Sequence, residues 1–169
     1  MTLSFTEKIK DKKTYFVEKI WACLYYRFID FDDKFYKYNQ EYKEKFQGAI
    51  FVNFGITHPK RHTIRQDKSN RWKAGNKIHP VINNRTPQRF QFAPTIKCVS
   101  TQDIEIVWNY NNSSQKEQQP GVFIDGKEID FETLINLAKN DGFDTVIDFL
   151  QYFDTNFTGK IIHWTNLKY

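Results

Sequence analysis

An α+β domain built on a curved or barrel-like sheet is the fold class this sequence predicts, on three observations. The apparent elements run strand, helix, several strands, two helices, strand, an order that mixes both types without regular alternation. The strand candidates are short, β-branched or aromatic, and bounded by Gly, Pro, Asn and Asp. The 169 residues are 40% apolar and 17% aromatic, enough to fill one core. No internal repeat or linker divides the chain, so residues 1–169 read as a single domain.

The opening "LSFTEKIK" reads as a short edge strand whose apolar members are Leu3, Phe5 and Ile9. In "TYFVEKIWACLYYRF" Phe16, Ile20, Trp21, Leu24 and Phe28 fall at helical spacing, with Thr14 as N-cap. From Asp30 to Phe46 aromatics alternate with charges, and the segment is either helical or an irregular insertion. Its stripe of Phe35, Tyr38, Tyr42 and Phe46 is expected to pack on the core. The run "AIFVNF" is expected as a strand, "HTIRQD" as a strand or strand edge, and "KAGNKIH" as a turn leading into another strand.

"FAPTIKCVSTQDIEIVW" has the composition of two strands or one bent strand, and residues 109–120 read as a flexible hairpin loop. "GVFIDGKEI" predicts a hairpin turning at Asp125-Gly126. "DFETLINLAKN" predicts a helix capped by Asp130 and ended by Gly142. A second helix starts at Asp144 and buries Val146, Ile147, Leu150 and Phe153; "GKIIHWTNLKY" is the strand that closes the sheet.

Composition narrows the function. The mean hydropathy of −0.68 argues for a soluble protein, and no apolar run approaches the ~18 residues of a spanning helix. The N-terminal "MTLSFTEKIKDKK" has no apolar core of a signal peptide, so a cytoplasmic location is expected, without membrane association. Cys23 and Cys98 read as buried reduced thiols; without Cys-x-x-Cys or His-x-x-His spacing no metal or other cofactor is expected. The net charge of +5 favours an acidic partner if the charge clusters, and between His58 and His79 it does.

Within "PKRHTIR", extended backbone puts Arg61, Thr63 and Arg65 on one face and Lys60, His62 and Ile64 on the other. A bend at His58-Pro59 would let Lys60 turn toward Thr63. A hydroxyl flanked by lysine and arginine suits an anion or a carbonyl oxygen, or an activated nucleophile. Trp72 could stack on a base, with Lys73 and Lys77 around the Gly75 turn. The histidines His62, His79 and His163 read as packed or hydrogen-bonding residues.

The pattern "Lys60-x-x-Thr63-Ile64-Arg65", followed by "Trp72-Lys73-x-Gly75-x-x-Ile78", resembles the signature of the ASCH domain family. "LSF" and its helix, "AKNDGFDTVIDFLQYF" and "KIIHWTNLKY" resemble other parts of the family, leaving about 30–51 and 109–120 as insertions. The resemblance implies a PUA-like fold, a small β-barrel flanked by helices, and a basic cleft that binds RNA or a modified nucleoside. Lys60, Thr63 and Arg65 would form the floor, Trp72 and Lys73 the rim, Lys77 would be a further ligand-binding residue, and Asp141 would face them.

The same resemblance implies a second possibility, since some members hydrolyse N4-acetylcytidine with a lysine, a threonine and a glutamate. Here the catalytic set would be Lys60, Thr63 and Asp141. Two positions depart from the pattern. His58 stands where the family has glycine, and Asp141 is one methylene shorter than glutamate, where ~1 Å can cost ~100-fold in rate. A third possibility is a protein-interaction module working through the aromatic segment 31–46.

Overall fold

A computed structural model describes residues 1–25, 27–53, 58–108 and 120–169. In chain order the elements are β1 (Thr2–Ser4), β2 (Lys8–Ile9), β3 (Lys12–Lys13), α1 (Phe16–Leu24), α2 (Phe31–Phe46), β4 (His62–Arg65), β5 (Lys77–Ile82) and β6 (Phe90–Gln91). They continue with β7 (Ile96–Lys97), β8 (Ser100–Val107), β9 (Gly121–Ile124), β10 (Lys127–Glu128), α3 (Phe131–Asn140), α4 (Val146–Tyr152) and β11 (Phe157–His163).

The architecture is mixed α/β. One sheet has five strands in the order β10-β9-β8-β11-β4, every neighbouring pair antiparallel. In a second, β5 pairs with β1 in parallel and with β6 and β7 in antiparallel fashion. The strands β2 and β3 form a separate two-stranded ribbon. No sheet closes into a barrel among the described residues. No described helix is long and apolar enough to cross a membrane.

Local chemistry explains most element boundaries. Asp130 caps α3 by accepting from the Thr133 amide at 2.7 Å, as its position predicts. Gly142, at φ +93°, ends that helix with the Phe143 amide bonded back to the Ala138 carbonyl. Asp125 and Gly126, at φ 50° and 78°, make the tight turn between β9 and β10. The first part of "LSFTEKIK" is an edge strand, β1, but Lys8 and Ile9 belong to the ribbon.

Four expectations change. The N-cap of α1 is Tyr15, left-handed at φ 53°, while the Thr14 hydroxyl bonds to the Thr6 carbonyl and closes the base of the ribbon. Residues 49–53 form no strand: the Ile50 amide is taken by the side chain of Asn39 on α2, and Phe51 is exposed. Helix α4 starts after Thr145, buries Phe149 and Phe153, and leaves Ile147 exposed. Strand β11 lies between β8 and β4, inside the five-stranded sheet and not at its margin. The loop expected over 109–120 lies outside the described residues except for Pro120.

The ambiguous aromatic segment is helix α2, and its Phe/Tyr stripe packs on the core. Phe31, Phe35 and Tyr38 surround buried Trp21 with ring centroids at 5.6, 5.1 and 5.9 Å. Tyr42 and Phe46 meet Phe90. Cys23 and Cys98 are both free and buried.

Close contact between β11 and β4 sets a testable limit. A Cβ at Gly159 would clash with the Arg65 carbonyl oxygen, a backbone atom that cannot turn aside. Gly159→Ala should lower stability by about 1–3 kcal/mol in urea denaturation. Gly48→Ala, whose nearest neighbour is 3.8 Å away, should stay within about 0.5 kcal/mol. Equal midpoints for the two variants would contradict this account of the strand pair.

Candidate functional site

The segment Asn140–Asp144, at the end of α3, is clamped by two buried lysines from different elements. Lys19, on α1, donates to the Gly142 carbonyl at 2.8 Å and to Asp144 Oδ1 at 2.6 Å. Lys60, just before β4, donates to Asp141 Oδ1 at 2.9 Å and also to the Asp141 carbonyl. The backbones interlock as well: the Lys60 amide donates to the Lys19 carbonyl at 2.9 Å, and the Arg61 amide to the Asn140 carbonyl at 2.8 Å.

Asp141 therefore fills the free edge of β4. Its Oδ1 also accepts from the Ile64 amide at 3.1 Å, and His62 Nδ1 lies 3.5 Å away. Lys60 is 1% exposed and Asp141 4%, so the pair is sealed from water. Burial pulls the Lys60 ammonium down to about 8, against the attraction of Asp141 and with help from Arg65 and Lys19. Burial would push the Asp141 carboxyl up, but Lys60 and His62 hold it below its ordinary value. Asp141 is thus ionised at neutral pH.

Lys60 does not turn toward Thr63 as the bend at Pro59 suggested. Thr63 is 2% exposed, and among the described residues no hydrogen bond joins its hydroxyl to Lys60 or Asp141. The alternation of the extended chain persists, so Lys60 and His62 both meet Asp141. Above Lys60 Nζ stand the rings of Phe16 and Phe5, at 4.5 and 5.9 Å.

Arg65 reaches a different place. Its guanidinium donates to the Ser4 carbonyl at 2.7 Å and lies 5.4 Å from the Phe5 ring centroid. There it lines a cavity of about 780 Å³ with Lys8, Lys13, Tyr15, Glu18, Asn83, Asn84 and Tyr152. A second cavity of about 520 Å³ also borders the ribbon and shares Lys13, Thr14, Phe16 and Tyr152 with the first.

Of the predicted site residues, Lys60 and Asp141 are thus in contact and Arg65 opens onto the larger cavity. Trp72, Lys73 and Lys77 do not line that cavity. Trp72 is 5% exposed within the core, its amide bonded to Asp67, and offers no open face for stacking. Lys73 and Lys77 are exposed around the Gly75 turn, where φ is +91°.

His62 and His163, read from the sequence as packed or hydrogen-bonding residues, are both fully buried, but nothing in the sequence placed them together. They face each other across β4 and β11, ring centroids 5.3 Å apart. Tyr169 joins them, its hydroxyl 2.8 Å from His62 Nε2 and 3.0 Å from Asn140 Nδ2. Neither ring nitrogen of His163 has a hydrogen-bond partner among the described residues, and burial beside His62 pulls its pKa down to about 3. Only the strand register, invisible in the sequence, brings these rings together. Lys8, Lys13, Glu18, Asn83 and Asn84 carry no motif at all. Comparison of the chain with family models, with curated proteins and with solved structures returns no match.

Two measurements check the buried network. Lys60→Met and Asp141→Asn each strand a buried charge and should each cost about 3–5 kcal/mol in chemical denaturation. The double variant should cost less than their sum by at least about 1 kcal/mol; strict additivity would mean the pair is not coupled. The histidines give a pH signature. Between about 6.5 and 3 unfolded His163 carries a proton that the folded protein excludes. Stability should fall as pH drops through that window, by at most about 1.4 kcal/mol per pH unit per histidine. His163→Phe should flatten the slope, and an unchanged slope would contradict burial as its cause.

Proposed function

We propose that the cavity beside Arg65 binds a nucleoside, either a modified one or a unit of RNA, the ligand class implied by the resemblance to PUA-like ASCH domains, in a site that shares only Arg65 with the set the resemblance implied. The observation that carries this reading is the lining. Arg65 is fixed by Ser4 and Phe5 at a cavity of about 780 Å³, within the ordinary size range for a small-molecule site. The side-chain amides of Asn83 and Asn84 have no hydrogen-bond partner among the described residues, and each offers a donor and an acceptor to the edge of a base. Exposed Tyr15 and Tyr152 supply aromatic faces for stacking. Arg65→Met should weaken cytidine or N4-acetylcytidine binding about tenfold in calorimetric titration, through loss of a charge-assisted contact. Unchanged affinity would remove Arg65 from the site.

Amide hydrolysis of an N4-acylated cytidine is the second reading, and it rests on Lys60. An amine whose pKa is drawn to about 8 is a usable base near neutrality, and Thr63 lies three residues away on the adjoining strand. Lys60 would have to be in its neutral form. Thr63 Oγ would then attack the acyl carbon and pass its proton to Lys60, with Asp141 orienting the lysine. Lys60 would hand that proton to the N4 amine as the C–N bond breaks, and water would then hydrolyse the acyl-threonine. The reaction requires the Thr63 hydroxyl and the Lys60 ammonium, which share no hydrogen bond among the described residues, to meet, and the Phe5 and Phe16 rings to move off the ammonium. Cytidine released from N4-acetylcytidine by the wild type, and lost in Thr63→Val, would establish this chemistry; binding without release leaves the binding module. The interaction-module reading is not carried further, since the aromatic stripe of α2 packs on the core.

A further inference from the structure

The ribbon at the cavity mouth carries an unbalanced pair of charges. Lys8 and Lys13 are directly opposite each other in register across β2 and β3, a cross-strand placement in which like charges repel. Both side chains are exposed, and both residues line the larger cavity. Their neighbour Lys12 is neutralised by Asp148, with both carboxylate oxygens within 3.0 Å. Neither Lys8 nor Lys13 has such an ion pair among the described residues.

The ribbon is nevertheless held firmly. The Thr14 amide donates to the Glu7 carbonyl at 3.0 Å, the Thr14 hydroxyl to the Thr6 carbonyl at 2.7 Å, and Lys12 ties β3 to α4. A local conflict kept on a fixed scaffold marks a functional position more often than a structural one. Two carboxylates share the cavity: Glu7 accepts from the Tyr42 hydroxyl at 3.3 Å, and Glu18, whose pKa burial raises, is attracted by Lys13 and Lys19. Among the described residues neither forms an ion pair with Lys8 or Lys13.

We infer that Lys8 and Lys13 form a phosphate clamp at the mouth of the cavity, so that the ligand of the Arg65 site is a phosphorylated nucleotide, free or as a unit of an RNA strand. This rests on the nucleoside reading of the cavity for the base, and on the lysine pair alone for the phosphate. The two ammonium groups relieve their mutual repulsion by sharing one anion. Arg65, half-buried where the two lysines are exposed, is left for the base.

The test compares cytidine, cytidine 5′-monophosphate, a cytidine trinucleotide and inorganic pyrophosphate by calorimetric titration. The proteins are the wild type, Lys8→Gln/Lys13→Gln and, as a control for loss of an exposed lysine away from the cavity, Lys97→Gln. The monophosphate should bind the wild type about tenfold tighter than cytidine, with an affinity that falls as salt rises. The double substitution should erase that preference and leave cytidine binding unchanged, whereas Lys97→Gln should change neither. A trinucleotide that binds tighter than the monophosphate identifies an RNA strand, and equal affinity identifies the free nucleotide. If cytidine fails to bind but pyrophosphate binds and depends on Lys8 and Lys13, the clamp stands and the base reading falls. Equal affinity of the wild type for cytidine and its monophosphate, or a phosphate preference that survives the double substitution, overturns the clamp.

Discussion

The contact between the Lys60 ammonium and the Asp141 carboxylate, both sealed from water, is the constraint on which the rest of this structure depends. Taking each charge out of water costs several kcal/mol, and only close geometry with further hydrogen bonds offsets it. Asp141 meets that requirement by accepting from Lys60 and from the Ile64 amide, and Lys60 by donating twice to the same residue. The consequence is positional. The end of α3, the start of β4 and, through Lys19, helix α1 are locked at one point. Gly142 follows from this packing, because a Cβ there would come within 3.1 Å of both Phe16 and Lys60.

That lock separates two roles which the sequence placed together. Lys60 looks inward, toward Asp141 and the His62–Tyr169 network, while Arg65 looks outward, to the cavity bordered by β1, the ribbon and the first turn of α1. On the proposed reading the buried pair shapes the cavity and the cavity does the binding. A lysine held this way sits close to losing its proton, which is why hydrolysis is retained as a second reading. The polar layer behind it, with His62 and His163 kept neutral by burial, adds no positive charge at neutral pH.

What could be read from the sequence was local. Asp130, Gly142 and Asp125-Gly126 act within a few residues of themselves, so their helix cap, helix end and turn follow from residue chemistry alone. The proximity of Asp141 to Lys60 came through the resemblance, which put an acidic residue opposite the lysine. What escaped was set by pairing between distant segments. The histidine pair depends on the register of β4 against β11. Residues 49–53 have a strand-like composition, but Asn39 takes the Ile50 amide before any strand can. The ribbon turns at Lys10, at φ 53°, without the glycine or asparagine that would have announced it, so Lys8 and Ile9 read as the end of the opening edge strand. The helical period of α2 is blurred by charges interleaved with its aromatic stripe.

The most direct measurement is the titration of Lys60 itself, followed through its side-chain Cε–Hε resonances by NMR. A lysine sealed against Asp141 should titrate near 8, and lower still in Asp141→Asn, where burial acts without the opposing carboxylate. A midpoint at the ordinary value of 10.5 would place Lys60 in water and contradict the buried pair, and with it the lock that shapes the site.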